Sequence, residues 1–366
     1  MKKKVLILVN HDVVIYNFRL ELVERLLHDG HEVFISCPEG EKMKDLVTLG
    51  AVHKVTEINR HGTNPLQDLK LLKRYGSMMY ELKPDVVLGY TIKPNLYGAM
   101  AAKRRGIPFI ANITGLGTAV ENPELKQRVF IAMYKYAFSK VRKVFVQNEE
   151  NREFFVRNHI AEDKLELIPG SGVNLERFPV TPYPDDGIIR FAFLSRIMKE
   201  KGTDIYLESA KVLKKKYANT EFHVCGFCEE AYEERLEQMT KAGIINYHGM
   251  IRNVAEFVAG MSCIVHPTYY PEGLSNVLLE ACASGRPIIT TDRSGCREVV
   301  EHGVNGYMVR QRDAADLIDK MEQFIRLEHE QKVQMGLNAR TKVEREFDRQ
   351  LVVEAYMDEI NLLTRK

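Results

Sequence analysis

The chain has 366 residues, 52 Lys/Arg against 50 Asp/Glu, six cysteines and 45% hydrophobic residues. That length exceeds what one hydrophobic core usually fills, and the composition excludes disordered, collagen-like and disulfide-framework classes. The net charge of +2 hides an asymmetry, because residues 1–170 carry 26 cations against 20 acids (+6) and the remainder 26 against 30 (−4).

The N-terminus MKKKVLILVNHD sets three lysines before a short apolar run. VLILV is too short for a signal peptide's apolar region, and no small-residue cleavage site follows, so it reads as a first buried strand. No stretch reaches the ~18 uninterrupted apolar residues of a spanning helix. The expectation is a cytoplasmic protein. Strand-like and helix-like segments then alternate: NFRLELVERLLHDG, HEVFISC, HKVTEI, a helix near 65–82, DVVLGY, a helix from Pro94, FIANIT, a helix near 124–139, KVFVQN and a helix near 150–159. The strands are rich in Val, Ile and Phe without clean alternation, as in strands covered on both faces. Such a βαβα series builds a doubly wound parallel sheet.

KLELIPGSGVNLERFPVTPYPDDG, with its Gly and Pro, breaks the rhythm and reads as a linker. The alternation restarts with IRFAFLSR, TDIYLESAKVLKKKY, EFHVCG, a helix at 231–242, INYHGM, VAEFVAGM, CIVHPT, SNVLLEACASG, PIITTD, GYMVR and closing helices. The fold class is therefore α/β: two Rossmann-like parallel-sheet domains, residues 1–167 and 168–348, with a C-terminal helix at about 349–366 expected to pack back onto the first. In such sheets ligands bind beyond the C-terminal strand ends, so facing domains would share one cleft.

ITGLGTAV carries Gly115-x-Gly117 after a strand, but Val120 stands where a dinucleotide fingerprint needs its third glycine. The pair implies a tight turn. Cys225-Gly-Phe-Cys228 has redox spacing, yet it ends a strand and reads as small buried residues. In the second domain SRIMKEKG places Arg196 and Lys201 after a strand, two cations suited to a diphosphate, although a solvated turn would look the same. CIVHPTYYPEGLSNVLLEACASG runs from strand through turn into helix, whose first N–H groups and dipole form an anion pocket. Asn276, Glu280 and Ser284 share one stripe of that helix. A carboxylate at Glu280 suits a ribose diol, and Glu272 would face whatever lies beyond the phosphates. An ordinary ion pair from Glu280 to Arg286 or Arg297 is the competing reading.

These stretches together resemble the retaining glycosyltransferases of family 4, which have the GT-B fold, and the likeness runs through essentially the whole chain. Glu272 to Glu280 matches the family's E-x7-E motif, followed by ACASGRPIITTDRSGCREVVEHGVNGYMV. SRIMKEKG matches its phosphate-binding Arg and Lys, SGVNLERF its inter-domain turn, and NYHGMIRNVAEF, with Gly249 and Met250, its base-binding segment. The resemblance implies a UDP-sugar donor, with Arg196 and Lys201 on the diphosphate, Glu280 on the ribose, Glu272 on the transferred sugar, and the backbone of Gly273, Leu274, Ser275 and Asn276 near the phosphates. Arg196, Lys201 and Glu272 would carry catalysis, without a metal or other cofactor.

The first domain departs from the broader family: its first loop, NHDVVIYNFR, lacks glycine, and ITGLGTAV lacks the histidine many members carry there. With YTIKPNLYGAMAAKRRGIP these features resemble the subset that builds bacterial surface polysaccharides or glycans on polyprenyl-diphosphate carriers. That implies transfer of a hexose or N-acetylhexosamine to a lipid-linked saccharide, with His11, Tyr16, Asn17, Arg19, Lys93, Asn95, Gly115 and Gly117 on the acceptor side. His61 is a further polar candidate. Residues 91–148 hold ten cations against Glu121 and Glu124, which favours phosphates or an anionic membrane surface, and adds attachment to the inner face of the plasma membrane. RVFIAMYKYAFSKVRK mixes Phe130, Tyr134, Tyr136 and Phe138 with cations and reads equally as membrane interface or core helix. No nucleic-acid partner is expected. A soluble acceptor and a non-catalytic nucleotide-sugar-binding module are the alternatives.

Overall fold

A computed structural model describes residues 2–59, 64–116 and 125–363. The chain divides into two compact units, one running to Ser171 and resumed from Arg349, the other spanning Gly172–Asp348. The first unit thus ends at Ser171 rather than at 167.

Among the described residues, the N-terminal unit holds strands β1 (Lys4–Leu8), β2 (Glu32–Cys37), β3 (Val52–Val55), β4 (Val86–Tyr90), β5 (Phe109–Ile113), β6 (Lys143–Val146) and β7 (Leu165–Leu167). They form one sheet in the order β3-β2-β1-β4-β5-β6-β7, every pair parallel. β1 shows why its residues sit inside. Successive side chains point to opposite faces, so Leu6 and Leu8 enter one core while Val5 and Ile7 enter the other. The helix Arg349–Asn361 covers that second face with Val352, Val353, Tyr356, Met357 and Ile360, one apolar stripe at helical spacing. Its Arg349 anchors it, donating to Glu21 Oε1 at 2.9 Å and to the Asn17 carbonyl at 3.0 Å.

Two local expectations need correction here. The glycine-free segment after β1 is a helix, Asp12–Phe18, capped by His11, whose Nδ1 accepts from the Val13 amide at 3.2 Å. The supposed linker begins with strand β7, whose residues pair with β6 as a half-exposed edge.

The second unit repeats the plan with β8 (Ile189–Leu194), β9 (Thr220–Cys225), β10 (Asn246–Tyr247), β11 (Cys263–His266), β12 (Ile288–Thr291) and β13 (Gly306–Val309). Their order is β10-β9-β8-β11-β12-β13, again all parallel. Both units therefore have the Rossmann strand order, and each has a switch point where the order reverses: β1 beside β4, and β8 beside β11. Loops leaving these strand ends splay apart and open a crevice.

Candidate active site

In the second unit the switch point joins the two segments singled out by sequence. Cys263 pairs with Phe191 and Ile264 with Ala192, so β8 and β11 end side by side. Arg196 and Lys201 follow the first, and Glu272 follows the second. The loops are then laced together: the Glu200 carbonyl accepts the amides of Tyr269 at 2.9 Å and Tyr270 at 3.0 Å. Gly202 permits this approach, because at its φ of +83° an added Cβ would lie 2.2 Å from the Pro267 carbonyl oxygen.

The result is a buried ion pair, Lys201 Nζ to Glu272 Oε1, with side chains 9% and 18% exposed. Burial works against the Glu272 anion, but the Lys201 ammonium outweighs that and lowers the carboxyl to about 2. His266 ends β11, 3.8 Å from Glu272, and both its ring nitrogens are buried without a hydrogen bond. Burial lowers its pKa, so the imidazole is held neutral. Arg196 Nη1 meets Glu229 Oε2 at 2.5 Å. The ring of Tyr270 lies under both cations, 5.4 Å from the Arg196 guanidinium and 4.8 Å from Lys201 Nζ.

The helix Asn276–Ala283 starts at this edge, with Leu278, Leu279, Ala281, Cys282 and Ala283 in the core. Ser275 is its N-cap but makes no side-chain cap bond. Its amide donates to the Gly295 carbonyl at 2.8 Å. That corrects the expectation that every amide from Gly273 to Asn276 lies open to an anion, because the Ser275 donor is already used. Gly295 lets the 293–298 loop close over the turn, since a Cβ there would sit 2.8 Å from Glu272 Cβ. Asn276 Oδ1 is buried without a hydrogen-bond partner among the described residues. Glu280, half-buried, lies one turn further along. Of the arginines proposed as its structural partners, Arg286 is spent on the carbonyls of Thr181, Pro182, Ala259, Ser284 and Gly285, and Arg297 pairs with Asp292. Ser284 is structural, its hydroxyl donating back to the Glu280 carbonyl at 3.0 Å. Gly249 lies after β10, its carbonyl accepting from Gly226 at 2.8 Å, and Met250 is 69% exposed. Cys225 is buried at the end of β9, its thiol pushed up to about 12 by desolvation.

In the first unit the described residues expected on the acceptor side are half-buried or buried. Tyr16 lies under Lys42, and Lys93 pairs with Asp68 at 2.8 Å. Arg19 is 2% exposed, its guanidinium 5.2 Å from the Tyr90 ring and 5.9 Å from that of Tyr356. Asn95 is 1% exposed and donates to the Asn112 carbonyl at 2.8 Å. Burial removes both from the surface, and Asn17 contributes a carbonyl that Arg349 occupies. Gly115 forms the turn after β5 at φ +133°. Gly117 and His61 fall outside the described residues. The cations after β4 split: the helix Ile92–Arg105 carries Lys93 at its start and Lys103, Arg104 and Arg105 in its last turn. In the helix Leu125–Phe138, Tyr134 and Phe138 are core residues, while Tyr136 is 50% exposed.

His266 and Tyr270 were missed as site residues. Their only sequence signal was their place at the end of β11, inside the stretch that also holds Glu272.

Comparison with known proteins adds to this geometry. Residues 179–342 match the family described as glycosyl transferases group 1, and residues 4–148 match one described as glycosyl transferase 4-like. The chain is similar to N,N'-diacetylbacillosaminyl-diphospho-undecaprenol alpha-1,3-N-acetylgalactosaminyltransferase of Campylobacter jejuni, with 26% identity over 94% of both chains. It is also similar to the capsular polysaccharide biosynthesis glycosyltransferase CapM of Staphylococcus aureus, with 26% identity over 78% of this chain and 79% of that one. In three dimensions it matches the crystal structure of Anabaena Alr3699/HepE in complex with UDP and glucose, with a TM-score of 0.80, 16% identity and coverage of 98% and 99%.

Proposed function

The chain belongs to the family 4 glycosyltransferases of the GT-B fold, and from that premise we propose that it transfers a hexose or N-acetylhexosamine from a UDP-sugar to a polyprenyl-diphosphate-linked saccharide. The product belongs to a surface polysaccharide or glycan. The observation that carries this reading is the convergence of Arg196, Lys201, Glu272 and the start of the helix Asn276–Ala283 at one switch point. Two cations and a helix N-terminus suit a diphosphate, and carboxylates on either side suit the hydroxyls of two sugars.

In this reading UDP draws Lys201 from Glu272 onto its diphosphate, beside Arg196. Glu280 takes the ribose hydroxyls. Glu272, released, accepts hydroxyls of the transferred sugar. The bond from the anomeric carbon to the phosphate oxygen breaks while the acceptor oxygen bonds to the same face, which retains configuration. The departing phosphate oxygen takes the acceptor's proton, so no second carboxylate is needed as base. The protein's contribution is preorganised positive charge where the leaving group becomes most negative.

The acceptor class is supported by the Campylobacter relative, whose name specifies a diphospho-undecaprenol acceptor, and the donor by the UDP in the Anabaena complex. Among the described residues no helix is long and apolar enough to cross a membrane. Contact with a lipid carrier therefore belongs, in this proposal, to peripheral attachment at the inner face of the plasma membrane. The test is to incubate the protein with radiolabelled UDP-sugars and bacterial lipid extract, then partition into organic solvent. Label entering the organic phase from one donor supports the reading and names the sugar. Label remaining in water as product moves the acceptor to a soluble one, and no donor consumption leaves a nucleotide-sugar-binding module.

A further inference from the structure

The cations after β4 do not act at one place. The helix Ile92–Arg105 spans 14 residues, so its last turn lies about 20 Å from its first, at the edge where the strands of the N-terminal unit begin. There a cavity of about 570 Å³ is lined by Lys3, Lys103, Lys140 and Arg142, with Asp85 as its single acid and Leu362 and Leu363 as apolar wall. A neighbouring cavity of about 480 Å³ has Lys73, Arg104 and Arg105 and no acid among its lining residues.

Some of these charges have structural work. Arg142 pairs with Glu359 at 2.9 Å, and Lys103 donates to the Tyr136 carbonyl at 3.1 Å. Cations also offset the dipole at a helix C-terminus, which accounts for residues 103–105 in part. It does not account for Lys73, in the interior of the helix Pro65–Leu82, or for Lys140, beyond the helix Leu125–Phe138. Lys73, Arg104 and Lys140 are exposed and form no ion pair among the described residues. Large apolar groups stand among them: Tyr80 is 68% exposed beneath Arg105, Tyr136 lies beneath Lys103, and Leu362 is 64% exposed. A free phosphate has no use for exposed tyrosines and leucines, whereas a bilayer interface offers anionic head groups and an apolar boundary together.

We propose that this strand-start edge of the N-terminal unit docks on an anionic phospholipid bilayer, with head-group phosphates in the two cavities and Tyr80, Tyr136 and Leu362 at the interface. The inference deepens the reading above, on which it rests for the reason such a protein meets a membrane. It assigns attachment to a surface separate from the edge that carries Tyr16, Lys93 and Gly115.

The test is flotation of the full chain with vesicles of phosphatidylglycerol in phosphatidylcholine and with phosphatidylcholine alone. UDP binding is measured on every sample. The expected result is binding to the mixed vesicles only, weakened by salt. The double variant Arg104→Glu/Lys140→Glu changes exposed side chains that form no ion pair among the described residues, and should lower partition at least about tenfold while UDP binding stays intact. Lys211→Glu/Lys215→Glu, in the other unit, should change neither. Equal partition of the Arg104/Lys140 variant, equal binding to neutral vesicles, or no vesicle binding would each overturn the docking surface. Competition by millimolar phosphate that abolishes binding in both variant and wild type would do the same, because the site would then be one for a free anion elsewhere. Retained UDP binding in any of these outcomes leaves the donor reading standing.

Discussion

Replacing Glu272 by Gln should tighten UDP binding while slowing sugar transfer. In the protein without donor, Glu272 holds Lys201 in a largely buried pair. A carboxyl lowered from its usual 4.5 to about 2 is stabilised as the anion by about 3 kcal/mol, at ~1.4 kcal/mol for each tenfold in acidity. UDP must draw Lys201 away against part of that energy and bring its own negative charge towards the carboxylate. Glutamine keeps the shape and an acceptor oxygen but not the charge. If about 1–1.5 kcal/mol is recovered, UDP binds roughly five- to tenfold tighter. Transfer should fall about 10²-fold, because an uncharged amide accepts the hydroxyls of the transferred sugar more weakly. Isothermal titration with UDP and donor turnover on the same preparation separate the two effects. Weaker or unchanged UDP binding would refute the idea that Lys201 is the diphosphate ligand held in reserve by Glu272.

Other outcomes follow from the same geometry. Arg196→Ala and Lys201→Ala should each cost about 10²–10³ in kcat, measured as UDP release, the usual scale for one preorganised donor of positive charge. Unchanged turnover in both would remove them from the mechanism. Gly202→Ala, forced against the Pro267 carbonyl, should lower the unfolding free energy by about 2–4 kcal/mol in denaturant titration and reduce turnover with it, because the Lys201 turn is displaced. Acid should destabilise the protein in two stages. His266, its pKa lowered by burial, costs stability as pH falls below about 6.5, where the unfolded chain takes up the proton first. Glu272 contributes stability above about 4.5 that is lost as pH falls toward its folded value. Denaturation of His266→Asn across this range should show the upper stage flattened; a pH dependence identical to wild type would contradict it.

Most strands were legible because segments such as VLILV and DVVLGY are apolar on both faces, which only a covered sheet allows. Edges were less legible. β7 is three residues long, half-exposed and sits beside Gly and Pro, so its pairing with β6 leaves no periodic signal. The helix Asp12–Phe18 was read as a loop because its β-branched Val13, Val14 and Ile15 have weak helix propensity, and its cap is a histidine rather than Ser, Thr or Asp. Arg196, Lys201 and Glu272 were singled out from their places after strands, and Glu280 from the helical stripe it shares with Asn276 and Ser284. Their mutual arrangement was not legible. Lys201 and Glu272 are 71 positions apart, and only the adjacency of β8 and β11 brings them together. Arg19 misled for the same reason: the aromatic rings that enclose it come from β4 and the C-terminal helix, both remote in sequence. Local chemistry is written in neighbouring residues, whereas burial and pairing depend on strand order.

The central claim concerns where the donor sits, and a crystal structure of the protein soaked with UDP tests it most directly. The account predicts the diphosphate within hydrogen-bond reach of Arg196, Lys201 and the free amides at the start of the helix Asn276–Ala283, the ribose on Glu280, and Lys201 drawn away from Glu272. UDP bound elsewhere, or bound with the Lys201–Glu272 pair intact, would contradict it.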